Sequence, residues 1–425
     1  MNQFRLLSSM VIAVVITPYA GNAQAPLVTA TQEARTAIAA RDAATAIRVT
    51  DSLVAWYPDH PNTMLLRARA MMIAERPDDA ERVVRKLLAW DPRYARYALT
   101  DSILKPLAPS LADADVNALA ARADSAVSRG RVWATVQERD LILEGTTYDP
   151  ATRSVLLGSL HKNRIIAIAP DGTVSDRVAA GDNGLGSVVG IHVDSTRGIL
   201  WVASNRRYDT PADSSRSALF AFNAANGKFI RKVVSPSSGQ NFFNDLTTDR
   251  EGNVYLTDTQ GGEVWLLRPG ATALVPFTAA GKVHAPNGIT ISSDGAHLFI
   301  ADLDHIQVVD LAGRTTWRLA VPDSLNVAGI DGLAFFENGL IAHHPLSFWR
   351  VARYELDPGH RRIIGRAIIE QSTPDSRTST TGEVVGREYV YIGNGQIDRM
   401  NARTIDPATM EPIRIYKAAA GRPGT

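Results

Sequence analysis

The chain has 425 residues, more than one ordinary core spans, so two structural units are expected. Its 45 basic and 44 acidic side chains leave a formal charge of +1, with neither the basic stripe of a nucleic-acid binder nor an acidic tail. Cysteine is absent, which excludes disulfides, thiolate metal sites, a cysteine nucleophile and the lipid-bearing cysteine of a lipoprotein.

Residues 1–25 read as an export signal. Arg5 precedes the apolar run 6–16, and Ala23-Gln24-Ala25 offers a small-x-small cleavage site. The run is too short to cross a bilayer, and no other stretch reaches about 18 apolar residues. The expectation is a periplasmic or secreted protein, cleaved after Ala25, with no membrane span and no nucleic-acid partner.

Residues 27–130 carry apolar side chains at helical spacing, as at Ala80, Val83, Val84, Leu87 and Leu88. Ala55-Trp56-Tyr57-Pro58 returns 34 residues later as Ala89-Trp90-Asp91-Pro92, and Ala46 and Leu53 match Ala80 and Leu87 at that offset. The period and the small residues resemble tetratricopeptide repeats over roughly two copies. About three copies are usually needed for independent stability. These helices are therefore expected to dock on the next domain or on a protein partner, as a structural cap or as a peptide-binding groove.

From residue 131 the texture changes to short Val/Ile/Leu/Tyr runs separated by Asp-Gly, Asn-Gly and Gly-Gly turns. Six copies of a strand-turn-strand unit have second strands at 155–157, 199–202, 254–256, 298–300, 340–342 and 390–392. A mainly β fold follows, a six-bladed β-propeller over 131–425 behind the helical region. Segments 131–137 and 412–416 are the candidates for closing it.

Aligning the copies isolates one position before each inner strand: Glu144, Val189, Asn244, Asn287, Asp331 and Thr381. Equivalent blade positions lie around the propeller axis, so these six should converge on the channel mouth. Two carboxylates and two amide carbonyls supply four hard oxygen donors, a set suited to Ca2+ and open to Mg2+ or Mn2+. Zn2+ is kept as a further candidate, although its favoured nitrogen and sulfur ligands are missing from the ring. Turn chemistry alone also selects Asn-Gly and Asp-Gly dipeptides, but it does not explain four oxygen donors at equivalent positions.

The stretches LEGTTYDP, FNDLTTDREGNVYLTD, APNGITISSDGAHLFIAD and GIDGLAFFENGLIA resemble the senescence-marker-protein/gluconolactonase family and its wider superfamily of paraoxonase-like and strictosidine-synthase-like propellers. The resemblance implies a divalent-metal-dependent hydrolase of lactones or esters. It makes Glu144, Asn287 and Asp331 metal ligands and Asn244 a ligand or a substrate contact. It also makes Asp331 the group that takes a proton from water. Gluconolactonases carry an arginine two residues before the asparagine of the ND pair, whereas this chain has Phe242, which disfavours a polar sugar lactone. Phe242 and His284, three residues before Asn287, are candidate substrate contacts. His343 and His344 read as structural, His192 has no assigned role, and neither Ser187 nor Ser237-Ser238 carries a nucleophile elbow. The loop GDNGLG at 181–186 has no helix behind it to hold phosphate. A second reading stays open: a non-catalytic propeller with a structural metal, binding a protein or glycan through its helices and rim.

Overall fold

The computed structural model describes residues 25–206, 216–236, 241–278, 283–345, 348–373, 378–401 and 405–422. The expected export signal up to Gln24 and the Ser237-Ser238 pair lie outside the described residues. Among those described, no helix is long and apolar enough to cross a membrane.

Among the described residues six α-helices lead: α1 (Ala25–Ala39), α2 (Ala43–Trp56), α3 (Pro61–Ile73), α4 (Pro77–Trp90), α5 (Pro92–Ala98) and α6 (Val116–Ala123). Proline opens α3, α4 and α5, where its missing N–H would have had no partner anyway. In α2 and α4 the repeat-matched Ala46, Leu53, Ala80 and Leu87 have no exposed surface, so the period read from the sequence is the period of the buried face.

Two turns of this helical layer rest on the propeller rim. From the α2–α3 turn, the Asp59 backbone N–H donates to Asp304 at 3.3 Å and its carbonyl accepts from Asn326 Nδ2 at 2.7 Å. From the start of α5, Asp91 forms ion pairs with Arg93 at 2.7 Å and with Arg350 of the propeller at 3.3 Å. Tyr94 packs on Phe348 with ring centroids 4.8 Å apart, and the Arg93 guanidinium lies over the same ring. The helices therefore dock on the second domain, one of the two outcomes expected for so few repeats.

Six antiparallel sheets follow: blade one (143–178), blade two (187–234), blade three (243–276), blade four (289–318), blade five (333–371) and blade six (382–419). Each central strand is covered on both faces by neighbouring blades, so it reads as an apolar run rather than an alternation. Ile199–Asn205 and Gly339–His344 are examples. The facing sides of blades one and two meet in a cluster that includes Leu156, Ile165, Val188, Ile191 and Phe220. Blade six takes its outer strand, Arg131–Val136, from the start of the domain and pairs it with Ile413–Ala419. Both candidate closing segments thus meet in one sheet. Blade five gains a short fifth strand, Val127–Ser128, from just ahead of residue 131.

Candidate functional site

The six inner strands begin in van der Waals contact with one another. A Cβ placed on Gly145 would lie 2.2 Å from the Val189 carbonyl oxygen, and one on Gly190 would lie 2.2 Å from that of Asn244. On Gly288 it would lie 2.3 Å from Asp331 O, and on Gly332 it would lie 2.5 Å from Thr380 O. Only glycine permits backbones this close. The contacts are sealed by Gly288 N–H donating to Asp331 O and Gly332 N–H donating to Thr380 O, both at 2.7 Å. Positions far apart in sequence thus form one ring.

Asn287 hydrogen-bonds the Asp331 carboxyl through its side chain. Burial pushes Asp331 up to about 7, and that bond offsets part of the rise. Burial also holds Glu144 well above the usual carboxylate range, reinforced by the charges of Asp331 and then Asp245. Glu144 and Asn244 are buried, while Asn287 and Asp331 keep partial exposure. Asn244 donates through Nδ2 to Thr259 at 2.9 Å, and Thr259 donates to the Pro286 carbonyl at 2.7 Å, next to Asn287. Val189 is buried in an apolar cluster and brings no donor to the ring.

Two further carboxylates were not assigned to the ring from the sequence. Asp245 stands where the five other blades have glycine, and Glu383 is the one acid among residues two positions beyond the ring. Both line a cavity one step inside the channel, together with Thr146, His192 and Thr290. Burial pushes Asp245 up to about 7; backbone N–H groups of Leu246 and Ile289 oppose the rise, and the charges of Asp331 and Glu383 add to it. Glu383 is likewise pushed up to about 7 by burial, against hydrogen bonds from the Val384 N–H and the Thr147 hydroxyl. The signal was available in the pattern: an acid in a glycine column, and an acid in a column otherwise of Thr, Ile and Leu.

The remaining candidates separate. Phe242 is half-buried and packs on the apolar cluster that contains Val189. His284 faces the helical layer, its ring 5.2 Å from that of Tyr57 and its Nδ1 3.5 Å from Asp302, whose carboxylate raises its pKa. His343 and His344 lie fully inside, 2.7 Å and 2.9 Å from the Tyr389 and Tyr354 hydroxyls, as structural imidazoles. His192 lines the cavity with Nε2 3.1 Å from the Thr248 hydroxyl. A strand, not a helix, follows the 181–186 loop.

Among the described residues, no three His, Cys, Asp or Glu side chains converge so as to hold an ion by themselves. A cation at the ring would depend on the amide oxygens. The donors fit that requirement: two carboxyls whose protons are held by burial and mutual charge, beside two amides. A cation removes the repulsion that otherwise keeps such acids protonated.

A family model described as SMP-30/Gluconolactonase/LRE-like region matches residues 142–364, and a tetratricopeptide-repeat model matches residues 37–100. Among solved structures, a gluconolactonase from Xanthomonas campestris is 17% identical, covering 69% of this chain and 97% of its own, with a TM-score of 0.47. A luciferin-regenerating enzyme is 13% identical, covering 70% and 96%, with a TM-score of 0.48. Virginiamycin B lyase from Staphylococcus aureus is 14% identical, covering 63% and 82%, with a TM-score of 0.46. No curated protein matches the chain.

Proposed function

Because this chain belongs to the SMP-30/gluconolactonase/LRE-like family, we propose that it is an exported hydrolase of lactones or related esters. It works with a divalent cation, Ca2+ first, held by Glu144, Asn244, Asn287 and Asp331. The observation that carries this reading is the pairing at the ring. The Gly288 N–H, next to Asn287, donates to the Asp331 carbonyl at 2.7 Å, and the Glu144 carboxyl lies within reach of the Asp331 charge.

When bound, the cation supplies Lewis-acid polarisation of the scissile carbonyl. Asp331 takes the proton of the attacking water. A pKa near 7 suits a base at neutral pH, and a neighbouring cation trades some of that basicity for a larger ionised fraction. Asn287 keeps the Asp331 carboxyl oriented, and Thr259 keeps the Asn244 amide turned so that its carbonyl oxygen is the uncommitted end. Glu144 contributes charge.

The test uses the full mature chain, treated with EDTA and reloaded with Ca2+, Mg2+, Mn2+ or Zn2+, on a panel of lactones and aryl esters. Hydrolysis should depend on the added ion and fall about a hundredfold or more in Asp331→Ala. Turnover that survives both EDTA and Asp331→Ala would reject the proposal. An ion that raises the melting temperature without any turnover would favour the structural-metal reading.

A further inference from the structure

Ahead of the ring, blades one to three share an apolar cluster. Ile142 stands two residues before Glu144, Phe242 stands two residues before Asn244, and Val189 is itself a ring position. These three join Leu160 and Met410 in one cluster, against which Ile397, Met400 and Ile405 also pack. The last four come from a connection in blade six, residues 393–401 and 405–412, where blade four turns back within 302–305.

The neck of this connection is built firmly. Gln396 and Glu411 exchange two hydrogen bonds at 2.9 Å, Asn394 Nδ2 donates to Pro412 O at 3.0 Å, and Arg139 reaches the Met410 carbonyl at 3.3 Å. The neck is therefore closed by bonds of its own and tied to Arg139, while Met410, Ile397, Met400 and Ile405 pack in the apolar cluster with Val189. Ile142, fully buried, sits at φ 47°. A β-branched residue adopts that left-handed conformation only where its surroundings enforce it, and such strain gathers at functional sites.

Resting on the reading of the ring as a hydrolytic centre, we infer that this cluster is the specificity pocket for the apolar acyl or alkyl chain of the substrate. A carbonyl at the ring shares its surroundings with Val189, so the group it carries meets Phe242, Leu160, Ile397 and Met400. None of those side chains offers a hydrogen bond to a sugar hydroxyl, and burying hydroxyls there would be penalised. Phe242, Ile397, Met400 and Ile405 are only partly covered by the fold and have surface left to bury. Methionine adapts to chains of different shape.

The experiment is a series of 4-nitrophenyl alkanoates from acetate to octanoate, with gluconolactone as the polar comparison, on the Ca2+-loaded full chain and on Phe242→Ser and Met400→Ser. In the wild type, kcat/KM should rise by up to about fourfold per methylene until the pocket is filled. Both variants should flatten that slope. Each series is referred to its own acetate rate, so a loss of folded protein lowers every member equally and leaves the slope unchanged. A flat wild-type series, a preference for gluconolactone, or variants with the wild-type slope would overturn the inference while leaving the hydrolase reading intact. No hydrolysis of any member would sink the hydrolase reading, and this inference with it.

Discussion

Gly288 shows how much of the ring depends on the absence of a single methyl group. Its φ is not in the left-handed region, so the requirement is steric: a Cβ would stand 2.3 Å from Asp331 O and 2.7 Å from Leu333 N, both backbone atoms that cannot swing away. Gly288→Ala should cost about 3 kcal/mol or prevent folding. Gly270→Ala, at φ 75° with nothing within 4 Å, should cost only about 1 kcal/mol. Urea unfolding of the two variants checks the contrast; equal effects would contradict the close-packed ring. Asp245 occupies the glycine column in blade three, yet its carboxylate finds backbone donors at Leu246 and Ile289. The acid was visible in the alignment of the six copies. Its burial was not, because side-chain orientation in a channel depends on five other blades.

At the level of elements, the joint between α5 and blade five is the most exacting contact. Asp91, Arg93 and Arg350 are all buried, and one carboxylate serves two guanidinium groups. Burial alone would raise the pKa of Asp91, but the two arginines hold it below the usual range. Asp91→Ala leaves two cations without their partner and should destabilise the protein by about 3–5 kcal/mol in urea titration. Asp91→Asn should recover part of that loss by keeping a hydrogen-bond acceptor. If Asp91→Ala unfolded at the wild-type midpoint, the joint would be incidental to stability. The helical period predicted that Asp91 follows α4; that it meets Arg350, more than half the chain away, belongs to the docked arrangement.

Across the whole molecule the channel acids govern the response to pH. Asp331, Asp245 and Glu383 titrate near 7 in the folded chain, against roughly 4 for an unfolded carboxyl. Between those values the folded state binds more protons than the unfolded one, so stability falls as pH rises through the window. Asp91 has the opposite sign: its contribution is present above about pH 4 and is lost as pH falls below it. Metal-free protein should therefore melt at progressively lower temperature from about pH 5 to pH 7.5, and Ca2+ should restore the loss at the upper end, since the cation favours the ionised acids. Calorimetry across that range with and without Ca2+ checks both halves. A profile unaffected by Ca2+ at pH 7.5 would count against a cation at the ring.

The sequence by itself determined the elements and their repetition: the 34-residue helical period, the six strand-turn-strand units and the column holding Glu144, Asn244, Asn287 and Asp331. Those features are local, since period and turn chemistry act over a few residues. Only the tertiary structure decided which columns face the channel, which acids share it, where the helices rest, and that the blade-six connection packs Met400 against the cluster that holds Val189. These are contacts between segments tens to hundreds of residues apart. They are set by the closing of the ring, in which strand 131–136 pairs with 413–417, and no window along the chain contains both partners.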